Sequence, residues 1–128
     1  MAARVIVGRE IRFSASHRLP HVPEGHKCAR LHGHSYRIGV ELSGAVVEPS
    51  GWVWDFGMLD AVLRSLVWEA LDHRHLNDVA GLENPTAEAL AMWVANRMKL
   101  GITADGVDVH AVTVWEGDGG GWARWESG

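Results

Sequence analysis

Residues 11–42 read IRFSASHRLPHVPEGHKCARLHGHSYRIGVEL, and this stretch decides the fold. Polar and apolar residues alternate on both sides of a polar loop, as they do in two half-buried β-strands, which we expect over residues 4–16 and 35–47. One face of the first strand carries Ile11, Phe13, Ala15 and His17, and the matching face of the stretch after the loop carries His32, His34, Tyr36, Ile38, Val40 and Leu42. If the strands pair as an antiparallel hairpin, its loop end brings the histidines together.

The three histidines of this hairpin stand at the spacing of metal ligands. His17 ends the first strand, and His32 and His34 open the second with matching parity. Zinc is the default metal for neutral imidazoles, and three protein ligands leave the open position of a catalytic site. The sequence therefore predicts a zinc site held by His17, His32 and His34.

Two helices are expected after the hairpin. Apolar residues recur at helical spacing over residues 57–71 and again from 87 to about 100. Asn84, Pro85 and Thr86 carry the signals of a helix start, with Asn84 as the candidate cap and the proline in the first turn. We therefore expect two amphipathic helices in succession.

The remaining segments complete an α+β fold. Residues 72–83 are expected to form a polar connection between the helices, and residues 107–116 and 122–125 are typical of β-strands. The predicted order is ββααββ, with an antiparallel four-stranded sheet and two helices on one face. Two sheet edges and seven tryptophans indicate contacts between subunits.

Composition restricts the class of protein. The chain has 128 residues, the length of one domain spanning 1–128, and its 47% hydrophobic and 22% charged residues are ordinary for a globular protein. A net charge of −4 argues against nucleic acid as a partner, and no apolar run is long enough for a membrane span. The single cysteine excludes an internal disulfide, and the first residues lack a signal peptide, so we expect a cytoplasmic protein.

The loop of the hairpin holds that single cysteine, Cys28, four residues before His32. Three roles fit a cysteine here: a buried small hydrophobe, a thiolate that acts as base or nucleophile, or a fourth zinc ligand. Arg18, Lys27 and Arg30 make the same loop basic. This charge indicates either an anionic small-molecule ligand or an ordinary solvated loop.

Two other positions carry candidate chemistry. Asp72 and His73 follow the first helix, where a carboxylate and an imidazole can relay protons; the alternative is a helix-end cap beside a loop histidine. Glu116 ends the third strand, where a buried carboxylate can pair with the amino-amidine edge of a pterin or guanine. The alternative for Glu116 is an exposed acid at a strand end.

The chain resembles the 6-pyruvoyl-tetrahydropterin synthase superfamily in five motifs, in order from Phe13 to Glu116: HRLPHVPEGHKCARLHGHSY, WVWDF, LDHRHLND, LENPTAE and VTVWE. It is most similar to the bacterial 6-carboxy-5,6,7,8-tetrahydropterin synthase branch, which serves queuosine and 7-deazapurine biosynthesis. The short C-x-x-x-H-G-H spacing differs from the longer spacer of the pyruvoyl-forming branch. The presence of Cys28 separates the chain from a third branch that has glutamate there.

The resemblance implies a tunnelling fold, in which sheets of several subunits close a barrel, as a trimer or a dimer of trimers, with active sites between subunits. It implies that His17, His32 and His34 hold zinc, that Cys28 accepts a proton, that Asp72 and His73 form its relay, with His73 from a neighbouring subunit, and that Glu116 anchors the pterin. It also implies Thr86 and Glu88 for the pterin pocket, and Arg18, Lys27 and Arg30 are candidates for the triphosphate.

The activity implied by the resemblance is that of a zinc-dependent lyase. Its substrate would be 7,8-dihydroneopterin 3′-triphosphate, and its products 6-carboxy-5,6,7,8-tetrahydropterin, acetaldehyde and triphosphate. One alternative is 6-pyruvoyl-tetrahydropterin synthase activity on the same substrate, and another is a non-catalytic metal-binding module. The presence of Cys28, Asp72, His73 and Glu116 argues against the module, because a metal store needs none of them.

Overall fold

A computed structural model describes residues 3–128. In chain order these residues form β1 (Arg4–His17), β2 (His32–Ala45), helix α1 with three consecutive segments (Phe56–Val62, Leu63–Trp68 and Glu69–Leu71), β3 (Arg74–His75), α2 (Ala87–Gly101), β4 (Asp108–Glu116) and β5 (Trp122–Glu126). The sheet has the order β3-β1-β2-β4-β5 and is open, with β3 and β5 at its edges.

The β1–β2 hairpin forms as its alternation predicts. The two strands pair antiparallel from Arg4 opposite Ala45 to His17 opposite His32. The second strand therefore begins at His32, three residues earlier than predicted, because the ladder continues up to the histidines. Most of the predicted inward face is buried, including Phe13 and Tyr36, while Ile11, His32 and His34 are partly exposed.

The prediction of a four-stranded antiparallel sheet is wrong in one respect. β3 adds a fifth strand, which pairs parallel with Ala15 and Ser16 of β1. The expected polar connection over residues 72–83 thus contains this strand and the 3₁₀ turn Leu76–Asp78. A strand of two residues is too short to show an alternation, so the sequence pattern could not reveal it. The other strand pairs, β2–β4 and β4–β5, are antiparallel as expected.

Helix α1 contains a widened turn. Its first segment starts one residue before the predicted helix, because the Asp55 carboxylate accepts a hydrogen bond from the Gly57 N–H at 3.0 Å. The middle segment, Leu63–Trp68, is π-helical. Such segments are rare because they change the i→i−4 hydrogen bonding of the backbone. The Arg97 Nε–H donates to the Leu66 carbonyl in this segment at 3.0 Å and so ties it to α2.

Helix α2 begins after Thr86 rather than after Asn84. The Thr86 Oγ1 accepts a hydrogen bond from the Ala89 N–H at 3.0 Å, so the prediction of Asn84 as the cap is wrong. The physical reason is the backbone hydrogen bonding: the Thr86 carbonyl accepts the first helical bond, from the Leu90 N–H at 2.9 Å, whereas the Asn84 carbonyl accepts from the Thr86 N–H at 2.9 Å. Glu88 lies in the first turn, where a negative charge is favourable.

The core lies between the two helices and one face of the sheet, as expected. It includes Leu59, Leu63, Val67 and Leu71 of α1, Leu90, Val94 and Met98 of α2, and Ile38, Val40, Leu42, Val112 and Val114 of the sheet. The helices approach closely at Gly101, where a Cβ atom would lie 2.4 Å from Val62 Cγ1. Within residues 3–128, the helices are too short or too polar to cross a membrane.

Candidate metal centre and proton-transfer pair

Three imidazoles converge at the loop end of the β1–β2 hairpin. The ligand atoms of His17, His32 and His34 lie within 4.8 Å of one another. The register causes this, because His17 is paired with His32, and His34 follows two residues later on the same face. Across residues 3–128, no other His, Cys, Asp or Glu gathers in such a group, so the geometry gives no support to Cys28 as a fourth ligand.

Backbone carbonyls orient two of these rings. His17 Nδ1 lies 2.9 Å from the Pro85 carbonyl oxygen, and His32 Nδ1 lies 2.6 Å from the Arg30 carbonyl oxygen. A carbonyl oxygen only accepts hydrogen bonds, so both Nδ1 atoms carry the proton in the neutral rings. Both Nε2 atoms then present a lone pair, and these two atoms lie 2.9 Å apart.

This arrangement fits a bound cation. Two lone pairs at 2.9 Å repel one another, and a cation that both of them contact removes the repulsion. Zinc binds imidazole nitrogens at about 2.0–2.1 Å, a distance compatible with two nitrogens this far apart. The donor set of His17, His32 and His34 therefore fits zinc.

Burial keeps two of the imidazoles neutral. Desolvation lowers the pKa of His17, which is 1% exposed, and the nearby His32 and His34 lower this pKa further, against the raising effect of the Pro85 carbonyl. Desolvation also lowers the pKa of His34, where the Glu116 charge acts in the opposite direction. Neutral imidazoles are the form that binds metal ions.

Glu116 faces the histidines from the neighbouring strand. It lies opposite Tyr36 in the β2–β4 register, and its Oε2 is 3.4 Å from His34 Nε2 and 3.6 Å from His17 Nε2. Its side chain is 24% exposed, so the alternative of an exposed strand-end acid does not describe it. A partly buried carboxylate beside the metal ligands can accept hydrogen bonds from a bound molecule.

Asp72 and His73 form a hydrogen-bonded pair at the sheet edge. Asp72 Oδ2 accepts from His73 Nδ1 at 2.8 Å, and its Oδ1 accepts from the Ser14 N–H at 3.2 Å. These bonds lower the pKa of Asp72, with the bond to His73 as the largest cause. His73 has a φ of 57°, which is rare for a residue with a Cβ, and its N–H donates to the Ser14 carbonyl at 2.7 Å. The imidazole itself is 81% exposed.

An open groove at the sheet edge is lined by His73 of this pair and by His34 of the metal centre. Its lining residues are Ser14, Ala15, Ser16, Gly33, His34, Ser35, His73, Arg74 and His75. His34 and His73 thus line one surface of the same chain. His75 Nδ1 lies 3.0 Å from Ser16 Oγ, which orients the His75 ring in the groove wall. Arg74 and the three serines were not predicted as site residues, because Arg74 lies on a strand of only two residues and single serines along β1 and β2 give no pattern of their own.

Cys28 lies in the 3₁₀ turn Lys27–Ala29 and is partly exposed. Its N–H donates to His26 Nδ1 at 3.0 Å, and its carbonyl accepts from the Leu19 N–H at 2.8 Å. It is therefore not the buried small hydrophobe that one interpretation proposed. These two hydrogen bonds hold the backbone of the loop in place at Cys28.

The predicted substrate-binding residues lie at the surface around the site. Arg18, Lys27 and Arg30 are exposed, and Arg30 contributes its carbonyl to His32. Glu88 is exposed in the first turn of α2, and Thr86 uses its hydroxyl oxygen as the helix cap.

The chain belongs to the 6-pyruvoyl tetrahydropterin synthase family, whose sequence model matches residues 6–127. A relative from Synechocystis sp., named 6-carboxy-5,6,7,8-tetrahydropterin synthase, is 43% identical over 87% of this chain and 85% of its own length. A relative from Pyrococcus furiosus, named dihydroneopterin monophosphate aldolase, is 33% identical over 92% of this chain and 93% of its own. The family expected from the five motifs is thereby confirmed.

A solved structure has the same fold. The 6-pyruvoyl tetrahydropterin synthase of Caenorhabditis elegans superimposes with a TM-score of 0.86 at 28% identity, over 99% of this chain and 98% of that one. The expected α+β tunnelling fold is therefore confirmed for the subunit.

Proposed function

We propose that this protein is a zinc-dependent lyase of a single domain, which converts 7,8-dihydroneopterin 3′-triphosphate and water into 6-carboxy-5,6,7,8-tetrahydropterin, acetaldehyde and triphosphate. The observation that carries the proposal is the convergence of His17, His32 and His34 with the Glu116 carboxylate beside them. The name of the Synechocystis relative supports the choice of reaction. The product would enter queuosine or 7-deazapurine biosynthesis.

His17, His32 and His34 would hold the metal ion at the site of reaction. Zinc bound by the three histidines would supply a Lewis acid next to the side-chain oxygens, which makes the adjacent C–H bonds more acidic. The Nδ1–H groups of His17 and His32 are held by carbonyls, so both rings keep their Nε2 atoms directed at the centre. Glu116 accepts hydrogen bonds from the amino-amidine edge of the pterin and so orients the ring system over the histidines.

Proton transfer is assigned to three residues. Cys28, beside the cation Lys27, removes a proton from the substrate side chain as a thiolate. Asp72 holds His73 by its Nδ1, which leaves Nε2 free to take and return protons.

Thr86 and Glu88 at the start of α2 complete the pterin pocket.

The triphosphate requires cationic partners. Arg18, Lys27 and Arg30 are exposed in the hairpin loop, which is rich in positive charge. Guanidinium and ammonium groups in such a loop can neutralise a leaving triphosphate.

The active site is proposed to lie between subunits of a homo-oligomeric trimer or dimer of trimers. The 81% exposure of His73 supports this, because the imidazole is directed away from the core of its own chain. The open edges of β3 and β5 also support it, since unpaired edges bind further strands. A location in the cytoplasm belongs to the same proposal and is supported by the single cysteine.

Product analysis tests the reaction. Purified protein is incubated with 7,8-dihydroneopterin 3′-triphosphate, and the products are identified by mass. Acetaldehyde with 6-carboxytetrahydropterin is expected. Retention of the three-carbon side chain would instead show 6-pyruvoyl-tetrahydropterin synthase activity, and zinc binding without turnover would show a metal-binding module.

Dihydroneopterin monophosphate is the second substrate to test, because the Pyrococcus furiosus relative is named for an aldolase acting on it. The proposed lyase should turn over the triphosphate faster. A preference for the monophosphate would contradict the assigned substrate and favour the aldolase.

A further inference from the structure

The metal ligand His17 has a second partner at its Nδ1 atom. Besides the Pro85 carbonyl, the Tyr36 hydroxyl oxygen lies 3.2 Å from this nitrogen. Tyr36 is 1% exposed, and its ring stacks on Phe13 with 5.1 Å between ring centroids. The hydroxyl is therefore held in place by packing and has no access to bulk water.

We propose that the Pro85 carbonyl and Tyr36 are positioning groups for His17: the carbonyl selects the Nδ1–H tautomer, and the Tyr36 hydroxyl at the same nitrogen fixes the ring, so that the Nε2 lone pair stays directed at the metal. The inference rests on the zinc site of the proposed function. It concerns the affinity of that site, since neither group contacts the reacting atoms.

The Pro85 carbonyl can only accept a hydrogen bond, whereas the Tyr36 hydroxyl can donate or accept one, so the carbonyl decides the tautomer of His17. In the other tautomer, the bare Nδ1 would face the Pro85 carbonyl oxygen at 2.9 Å, and both atoms would be acceptors. That tautomer would leave the buried Pro85 carbonyl without a donor, which is unfavourable. In the Nδ1–H tautomer, one proton satisfies the carbonyl and also contacts the Tyr36 oxygen.

The other two ligands are held differently. His32 receives its single carbonyl from Arg30 in its own loop, two residues away, and His34 faces Glu116 through Nε2. His17 is the ligand whose partners come from a core strand and from the turn before α2. Since Pro85 precedes Thr86, the orientation of this ligand is coupled to the segment proposed to bind the pterin.

Zinc affinity provides the test. The zinc-loaded protein is titrated with a chromophoric chelator to obtain the Kd for zinc in the unaltered chain, in Tyr36→Phe and in a control. The control is Thr113→Val, which also removes a buried hydroxyl, one that accepts from Arg124 Nη1 at 3.2 Å and is not in the histidine cluster. Loss of a hydrogen-bond partner behind a ligand weakens metal binding about 10–100-fold, and we expect about tenfold for Tyr36→Phe because Pro85 remains. The control should bind zinc like the unaltered chain.

Equal zinc affinity in Tyr36→Phe and the unaltered chain would overturn the inference while leaving the zinc site intact. An equal weakening in Thr113→Val would also overturn it, because the effect would then reflect general loosening. An unaltered chain that binds no zinc would remove the proposed metal centre and this inference with it.

A second measurement uses the unaltered zinc-loaded protein and so does not depend on how a variant folds. Nitrogen-15 is incorporated at histidine only, and long-range ¹H–¹⁵N spectra identify the protonated nitrogen of each ring. We expect a protonated Nδ1 for His17. A bare Nδ1 in His17 would overturn the inference.

Discussion

The metal centre and the Asp72–His73 pair are built in opposite ways. His17 is buried and held by partners from two other parts of the chain, whereas the His73 ring is 81% exposed and held on one side only, by Asp72. In the metal centre, the groups that hold His17 come from the backbone and core of its own subunit. In the Asp72–His73 pair, the carboxylate is held in place while the imidazole is exposed. Such an imidazole can transfer protons to a molecule bound outside the core of its own chain. Binding of the metal and transfer of protons are therefore separable properties of this fold, and the following variants should separate them.

The largest effect is expected from removing two metal ligands. His32→Ala combined with His34→Ala should reduce zinc affinity by more than the about 100-fold that loss of an outer partner can cause, and should abolish turnover. Metal analysis and product formation measure the two effects. His21→Ala combined with His110→Ala is the matched control, since both residues lie outside the cluster. Full zinc occupancy in the first variant would refute the ligand assignment.

Removing the thiol should affect turnover alone. Cys28→Ala should keep zinc and fold but lower turnover about 10²–10⁴-fold, the range for loss of a general base. Zinc content, circular dichroism and product formation are measured on one preparation. Loss of zinc from this variant would make Cys28 a ligand and contradict its separation from the histidine cluster.

Mixing two inactive variants tests whether the Cys28 and His73 of one active site come from the same subunit or from two subunits. If Cys28 and His73 meet between subunits, exchange between Cys28→Ala and His73→Ala proteins should restore activity. Random exchange in a symmetric oligomer should restore about a quarter of it, because that fraction of sites receives both intact residues.

The opposite outcome of the mixing experiment would favour an active site within one chain, in the groove that His34 and His73 both line. Complete subunit exchange without recovery would place both residues in the site of one chain, along this groove. Exchange is followed independently by mass, with mixed unaltered and Cys28→Ala proteins as the control. An active monomer would refute the proposed assembly.

The smallest effect is expected on acid stability. The pKa of Asp72 is lowered in the folded chain, so its carboxylate stabilises the fold above the ordinary aspartate pKa, and this contribution is lost as the pH falls through the lowered value. Asp72→Asn should therefore lower stability slightly at neutral pH and flatten the loss on acidification. The effect is small because the partner His73 is solvated.

Urea unfolding at several pH values measures this change. Asp105→Asn, in the exposed turn before β4, serves as the control. An acid profile for Asp72→Asn that is as steep as that of the unaltered chain would contradict the assignment.

The parity of two strands is sufficient to predict the metal centre from the sequence. His17, His32 and His34 obey the period of two, and a hairpin can place them in only one way. Parity also puts Tyr36 on this face, but its contact with His17 depends on ring packing, which a sequence pattern does not contain. The contact between the Pro85 carbonyl and His17 could not be predicted either. Every residue carries the same backbone carbonyl, and only the folded structure determines which one lies beside His17.

The errors in the fold have local causes. Asn84 has the side chain of a good cap, but its carbonyl accepts from the Thr86 N–H in a turn, and the helical hydrogen bonds start at Thr86, which is the cap. Strand β3 depends on tertiary pairing with β1 and has no pattern of its own. The exposure of His73 follows from a left-handed backbone that residue type does not signal.

The π-helical segment Leu63–Trp68 sets a limit on how this family member can change in length. A π-helical turn holds one residue more than an α-helical turn, so deleting one residue there would restore a regular helix and leave the residues after it close to their places. Deleting a residue from the regular turns on either side would instead rotate Asp72 by about 100°, away from the Ser14 N–H. Single-residue deletions in α1 should therefore be less disruptive in the π-helical segment than in the turns on either side of it.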